Sequence, residues 1–84
     1  MQYNLECRFG NNQSFYGKAT IEESEKNITL LSYNTPIVTL NKQTNSLKWL
    51  YNTYTQTTLK HVNEFLKQHN FEPITKKQFE NMEV

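Results

Sequence analysis

The sequence predicts an α+β domain, because the spacing of its hydrophobic residues changes once along the chain, after Tyr51. Up to that residue, short stretches alternate between apolar and polar side chains, which predicts about four or five antiparallel strands within residues 2–51. Beyond it, apolar residues recur at helical spacings and predict a long amphipathic helix at about 54–69 and a short helix at about 76–82. Strands followed by helices are typical of a meander-like antiparallel sheet with the long helix packed on one face.

The first half of the chain carries the strand signals. The first strand places Tyr3, Leu5, Cys7 and Phe9 on an apolar face, and the second does the same with Phe15, Gly17, Ala19 and Ile21. Polar residues at 22–27 predict the hairpin loop that follows. A third strand is predicted at 28–33, and Asn34-Thr35-Pro36 interrupts it because proline cannot donate a ladder hydrogen bond. Residues 37–40 are a fourth strand or the bent continuation of the third, and a final strand at 47–51 completes the predicted sheet.

Both predicted helices begin with recognisable capping residues. At the start of the long helix, Thr53 with Gln56 makes a capping box, and Thr55 is an equally good N-cap. Asn70 is predicted to be the left-handed residue that follows the last turn of this helix. The short helix is predicted to begin with a Thr75–Gln78 capping box, and Pro73 marks the break before it.

Length and composition predict a single domain, residues 1–84, built on one hydrophobic core. Apolar residues make up 36% of the chain and aromatic residues 13%, which is enough for a core without disulfide or metal staples. Cys7 is the only cysteine, which favours a reducing, cytoplasmic location. The amino terminus lacks a basic start and an apolar run, and no eighteen apolar residues follow one another, so neither a signal peptide nor a membrane span is predicted.

The residue types that most enzymes need are scarce in this chain. It has no aspartate, one arginine, two glycines, and only His61 and His69 as histidines. Aspartate supports hard-cation and phosphoryl-transfer sites, and glycine-rich loops cradle phosphates, so neither kind of site is predicted. Cys7 falls on an apolar strand face, where a thiol is normally structural. One cysteine and two histidines eight apart match no zinc spacing, so we predict a binding protein without catalytic residues, metal or cofactor.

Nucleic-acid binding is one alternative, and it depends on local clusters of positive charge. The net charge of +1 opposes it overall, because phosphate neutralisation dominates such affinity. Lys18 and Lys48 are predicted to project with Tyr16 from the sheet face opposite the core, as a stacking platform with cationic flanks does. Lys60 lies near the start of the long helix, where backbone amides attract anions. The candidate nucleic-acid surface is therefore Tyr16, Lys18, Lys48 and Lys60.

A protein partner is the alternative that the aromatic content favours. The chain has five tyrosines and one tryptophan, and a core of this size holds only some of them. Tyrosine and tryptophan are enriched at protein interfaces, and Tyr16 and Tyr33 are expected on the open sheet face. The candidate partner-binding surface consists of Tyr16, Lys18 and Tyr33 on the sheet, with Thr57, Lys60 and His61 at the helix start.

Three segments, 14–19, 31–38 and 54–66, resemble small uncharacterised proteins of phages and mobile elements in low-GC Gram-positive bacteria. The resemblance covers roughly residues 14–70 and is most specific at the helix start, where a tyrosine, paired threonines, a lysine and a histidine follow one another. It implies a phage accessory protein that acts in the bacterial cytoplasm. Small proteins of that type often block a host enzyme or a bacterial defence system, CRISPR among them, by stoichiometric binding.

Overall fold

A computed structural model describes residues 1–9 and 17–84, and this part of the chain forms a five-stranded antiparallel sheet followed by two helices. Neighbouring strands in the sheet are neighbours in sequence, so the sheet is a meander. The α+β class is confirmed, although the long helix has 13 residues and is shorter than predicted. The elements are β1 (Gln2–Asn4), β2 (Ala19–Glu23), β3 (Asn27–Ser32), β4 (Thr35–Asn41), β5 (Ser46–Trp49), α1 (Gln56–Gln68) and α2 (Lys76–Glu80).

The core lies between one face of the sheet and α1. Ile21, Leu30 and Val38 are cross-strand neighbours on β2, β3 and β4, and each is almost fully buried. From the helix side, Val62 and Phe65 are fully buried against this face. Burying one large apolar side chain of this kind stabilises a fold by about 1.5–3 kcal/mol, so these residues carry much of its stability.

A β-bulge in β4 explains how two adjacent residues enter the core. Leu30 pairs with Val38 whereas Leu31 pairs with Pro36, which leaves Ile37 as the additional residue on β4. A bulge bends its strand and breaks the alternation of faces, so Ile37 and Val38 are 1% and 0% exposed although they are consecutive. The predicted break between the third and fourth strands is present, but it lies at Tyr33-Asn34 rather than at Asn34-Thr35-Pro36. β4 begins at Thr35 and accommodates Pro36 at an exposed position beside the bulge.

The amino-terminal strand is shorter than predicted. β1 ends at Asn4, and the following residues, 5–9, leave the sheet and lie beside α1. Leu5 is buried, and Tyr3 pairs with the core residue Ile21, so Tyr3 lies on the predicted face although it is 43% exposed. Phe9 is 57% exposed, so the prediction that it packs in the core is wrong. Period-two alternation could not reveal this, since it does not show where the partner strand stops.

The second strand begins later than its apolar pattern predicts. β2 starts at Ala19, and Ala19 and Ile21 are buried as predicted. The predicted strand residue Phe15 and the predicted turn at Gly10-Asn11-Asn12 lie outside the described residues. Gly17 has a φ of 72° just before β2, which glycine adopts without strain, so it belongs to the approach to the strand and not to its apolar face.

The helix boundaries follow the capping signals. Thr55 is the N-cap of α1 and accepts a hydrogen bond from the amide of Thr58, so the Thr53–Gln56 capping box is not the start of the helix. Asn70 has a φ of 64°, which confirms the predicted left-handed residue after α1. The Thr75–Gln78 capping box of α2 is also confirmed, with both reciprocal hydrogen bonds present.

Helix α1 crosses the sheet from the β3–β4 turn towards the β1–β2 edge. Its first turn is tied to the end of β3 by a contact of 3.2 Å between the hydroxyls of Thr58 and Ser32. Its last turn lies near β1 and β2, where His69 and Tyr3 line a cavity of about 240 Å³. Neither α1 nor α2, the helices of the described residues, has the length and apolar character that a membrane-spanning helix requires.

Candidate interaction surface

A strained tyrosine lies at the tip of the β3–β4 hairpin. Tyr33 and Asn34 form its turn, and both have positive φ angles, 50° and 67°. Two positive φ angles match the twist of a two-residue hairpin, but the favoured residues are asparagine and glycine. A tyrosine in this conformation costs roughly 1–2 kcal/mol, because its Cβ crowds the following carbonyl oxygen. The ring is nevertheless 54% exposed, so the strain is not offset by full burial.

The buried histidine of α1 supports the ring of Tyr33. The two ring centroids are 5.9 Å apart, and His61 is 0% exposed. The Nδ1 atom of His61 lies 2.9 Å from the hydroxyl of Ser32, the residue immediately before Tyr33. The hairpin tip is therefore fixed to the helix by a side-chain hydrogen bond as well as by packing, and the exposed ring has a rigid base.

The hydrogen-bonded chain beneath Tyr33 continues to the helix cap. The hydroxyl of Ser32 contacts that of Thr58, which in turn accepts a hydrogen bond of 2.9 Å from the hydroxyl of Thr55. Ser32 and Thr58 are 2% and 6% exposed. A buried polar group without a partner costs about 1–3 kcal/mol, so this satisfied chain specifies how the hairpin and the helix start fit together.

Lys18 also lies at the tip of the β3–β4 hairpin. Its carbonyl oxygen accepts a hydrogen bond of 2.7 Å from the amide of Tyr33, which places it beside the hairpin tip. Burial, and to a lesser extent the nearby ammonium of Lys18, lower the pKa of His61 to about 4. His61 is therefore neutral near pH 7, and the positive charge in this region comes from lysine.

The structure brings only some of the predicted partner-binding residues together. Lys18 and Tyr33 are exposed and adjacent, and Lys60 is exposed on α1. Thr57 is half-buried and lies one helical turn before His61 on the same side of the helix. We name Lys18, Tyr33, Thr57 and Lys60 the Tyr33 surface. Tyr16, the remaining predicted residue of the sheet, lies outside the described residues.

Two expectations about this surface need correction. His61 is fully buried, so it supports the surface and cannot contact a partner directly. The sequence analysis grouped it with Thr57 and Lys60 because all three lie at the start of the predicted helix. Its position four residues before the buried Phe65 was the available signal of a core-facing residue. Tyr33 belongs to a turn and its ring packs against His61 of α1, so it does not stand on the open sheet face.

The two ends of the sheet differ in their charges. At the far end, Glu23 accepts a hydrogen bond of 2.6 Å from Lys42 and another of 2.6 Å from the hydroxyl of Tyr3. At the near end, segments 17–20, 31–36 and 53–61 contain two lysines and no acidic residue. Within residues 1–9 and 17–84, neither of these lysines makes an ion pair. The Tyr33 surface therefore presents uncompensated positive charge around an aromatic ring.

The residues predicted to bind nucleic acid do not share one surface. Lys48 lies on β5 opposite Thr39, whereas its neighbours Leu47 and Trp49 pack towards the core. Its side chain is therefore on the sheet face that α1 does not cover. Lys18 and Lys60 lie at the helix start instead, and Tyr16 is outside the described residues. Of the four predicted residues, only Lys18 and Lys60 therefore lie in the same region of the structure.

Other candidate chemistry is limited among the described residues. Ser32 and His61 are in hydrogen-bonding contact, but both are at most 2% exposed, so a substrate has no access to the hydroxyl. The described residues hold no group of three or more histidine, cysteine, aspartate or glutamate side chains that could bind a metal ion. Cys7 is half-buried rather than fully in the core.

Relief of the strain at Tyr33 is expected to stabilise the protein. Asparagine tolerates a positive φ, so Tyr33→Asn should raise the free energy of unfolding by about 0.5–1 kcal/mol. That gain is smaller than the full strain because the contact with His61 is lost. Urea denaturation at pH 7 measures the difference, with Asn34→Gly as a second variant that should change stability in the same direction. A loss of stability in Tyr33→Asn would show that ring packing outweighs backbone strain.

Comparison with known proteins identifies a family but no function. Residues 3–81 match a family of unknown function, DUF8033, and this range includes every helix and strand except the first residue of β1. Neither the curated proteins nor the solved structures provide a significant match. Since the match spans nearly the whole chain, the protein belongs to this family of unknown function.

Proposed function

We propose that this protein acts by stoichiometric binding to a bacterial protein through the Tyr33 surface. It would be a phage-type accessory protein in the bacterial cytoplasm, and its partner a host enzyme or a component of a defence system that it inhibits. The observation that carries the proposal is Tyr33 itself, a bulky residue kept at a φ of 50° with its ring 54% exposed. Strained residues persist where the surroundings fix them, and they cluster at sites of binding and catalysis.

The setting of Tyr33 suits a binding hot spot. Tyrosine contributes a large contact area at a low entropic cost, because only two side-chain torsions need to be fixed. Here Ser32 and His61 hold the turn beneath the ring, so binding orders less of the chain. Lys18 and Lys60 add charge that steers an acidic partner and selects its orientation.

Affinity capture with matched variants tests this proposal. Tagged protein is incubated with lysate of a low-GC Gram-positive bacterium, and captured proteins are quantified by mass spectrometry. A specific protein should be captured by the unmodified chain and by Lys48→Gln, but at least about fivefold less by Tyr33→Asn and Lys60→Gln, since hot-spot residues contribute more than about 1 kcal/mol. Lys48→Gln is the control, because it removes the same charge from the sheet face that α1 does not cover.

Two outcomes would contradict the proposal. One is that no protein is captured specifically with the tag at either terminus, and the other is that Tyr33→Asn captures as much as the unmodified chain. Nucleic-acid binding, the alternative, predicts that capture disappears after nuclease treatment. It also predicts direct oligonucleotide binding whose affinity falls with salt by a log–log slope of about 0.7–0.9 for each phosphate contacted.

A further inference from the structure

The backbone around a second exposed aromatic residue is held in place by polar side chains of α1. Residues 5–9, the N-terminal strap, follow β1 and lie along this helix. The Oε1 atom of Glu64 accepts a hydrogen bond of 2.9 Å from the backbone amide of Phe9. The side-chain amide of Gln68 donates hydrogen bonds of 2.6 Å to the carbonyl of Glu6 and to Glu64 Oε2. Two side chains one helical turn apart therefore fix the path of the strap.

Glu64 is buried, so holding the strap in this way requires a carboxylate to be removed from water. Its side chain is 3% exposed, and a buried carboxylate carries a desolvation penalty of several kcal/mol that hydrogen bonds must offset. The residue that Glu64 positions is not part of the core, because Phe9 is 57% exposed. A large apolar side chain thus faces solvent from a backbone position that Glu64 fixes.

Phe9 and Tyr33 lie on the same flank of α1. The backbone of Phe9 is bound to Glu64, and the ring of Tyr33 packs on His61. His61 and Glu64 are three residues apart on the helix, so they are neighbours on its surface with about 5–6 Å between their Cβ atoms. The backbone of Phe9 and the ring of Tyr33 are therefore held by adjacent residues of α1, and a single partner of ordinary interface size can cover both side chains.

We infer that Phe9 and Tyr33 form a two-point aromatic anchor, with Glu64 as the positioning residue for Phe9. This inference rests on the proposed function and extends its surface beyond the hairpin tip. The matching partner is a protein that offers an apolar groove bordered by carboxylates. The groove accommodates the two rings, and the carboxylates complement Lys18 and Lys60, because segments 17–20, 31–36 and 53–61 contain no acidic residue. Glu64 is buried, and the exposed Glu6 of the strap is paired with Arg8 at 3.2 Å.

Site-specific photocrosslinking tests the anchor directly in cells, where the partner is present at its natural level. The probe is p-benzoylphenylalanine, placed singly at position 9, 33 or 48 of the full chain in Gram-positive bacterial cells. Positions 9 and 33 should give an adduct of the same mass, resistant to nuclease, and position 48 should not. With the probe at 33, Phe9→Ser and the double variant Lys18→Glu/Lys60→Glu should each lower the yield at least about fivefold. Glu64→Gln should lower the yield from position 9 more than from 33.

The failures are distinguishable from one another. An adduct from position 33 alone, unaffected by Phe9→Ser, overturns the two-point anchor and leaves the proposed function standing. If neither position 9 nor position 33 gives an adduct, both the two-point anchor and the proposed function are overturned. A nuclease-sensitive adduct, or one of twice the mass of the chain, overturns the acidic protein partner in favour of nucleic acid or self-association. Equal losses from both positions in Glu64→Gln overturn its positioning role, while Phe9→Ser still tests the anchor.

Discussion

Replacing Phe65 with alanine is expected to lower the free energy of unfolding by about 3–5 kcal/mol. Phe65 is 0% exposed and lies between α1 and the sheet, and its ring centroid is 4.7 Å from that of His69. Removing the ring leaves a cavity that neighbouring side chains fill only in part. For a domain of this size the total stability is on the order of 4–12 kcal/mol, so the variant should be close to unfolding at room temperature.

The control for this prediction is Phe9→Ala, which removes the same ring from an exposed position. Phe9 is 57% exposed, so its removal should change the free energy of unfolding by less than about 1 kcal/mol. Chemical denaturation followed by circular dichroism measures both variants. Equal losses would contradict the assignment of Phe65 to the core and of Phe9 to the surface.

Acid is expected to destabilise the protein through His61. Its folded pKa, about 4, lies below the ordinary value of 6.5, first because of burial and then because of Lys18. Below about pH 6.5 the unfolded chain therefore binds a proton that the folded chain does not. The stability contributed by the neutral ring is complete above pH 6.5 and is lost as the pH falls towards 4, with about 2 kcal/mol lost between pH 7.5 and 5.

Unfolding experiments at several pH values measure this loss, and two histidine variants assign it. His61→Asn keeps an amide near the position of Nδ1, which can still contact Ser32, but it cannot titrate. It should remove most of the pH dependence between 7.5 and 5. His69→Asn should retain most of it, although burial also lowers the pKa of His69. An unchanged pH dependence in His61→Asn would contradict the assignment.

The sequence predicts this fold best where a signal is local. The capping box at Thr75–Gln78 and the left-handed Asn70 depend on a few neighbouring residues, and both are present as predicted. The antiparallel meander also follows from local alternation and short polar turns. At Thr53 and Thr55 two local signals compete, and only tertiary contacts decide between them. Thr55 is favoured because its helix places Thr58 against Ser32.

The remaining features depend on contacts between distant parts of the chain. Phe9 is exposed because Glu64, 55 residues away, holds its backbone outside the sheet. Ile37 is buried because of a bulge in register with β3, which alternation alone cannot show. For the site, strand alternation predicts Lys18 and the aromatic content predicts Tyr33 as surface residues, and the structure brings the two together. The prediction of His61 on the exposed surface is wrong although its spacing from Phe65 indicates a core-facing residue. Its hydrogen-bonding partner Ser32, 29 residues earlier, cannot be read from the sequence.

Hydrogen exchange of the isotopically labelled protein, with and without the partner obtained by affinity capture, tests binding at the Tyr33 surface most directly. Amides of residues 31–36 and 56–60 should exchange more slowly in the complex, since these segments form the hairpin tip and the helix start. Amides of the opposite turns, 24–26 and 42–45, should be unaffected, because they lie at the other end of the sheet. Protection confined to those opposite turns, or to the uncovered sheet face around Lys48, would contradict binding at the Tyr33 surface.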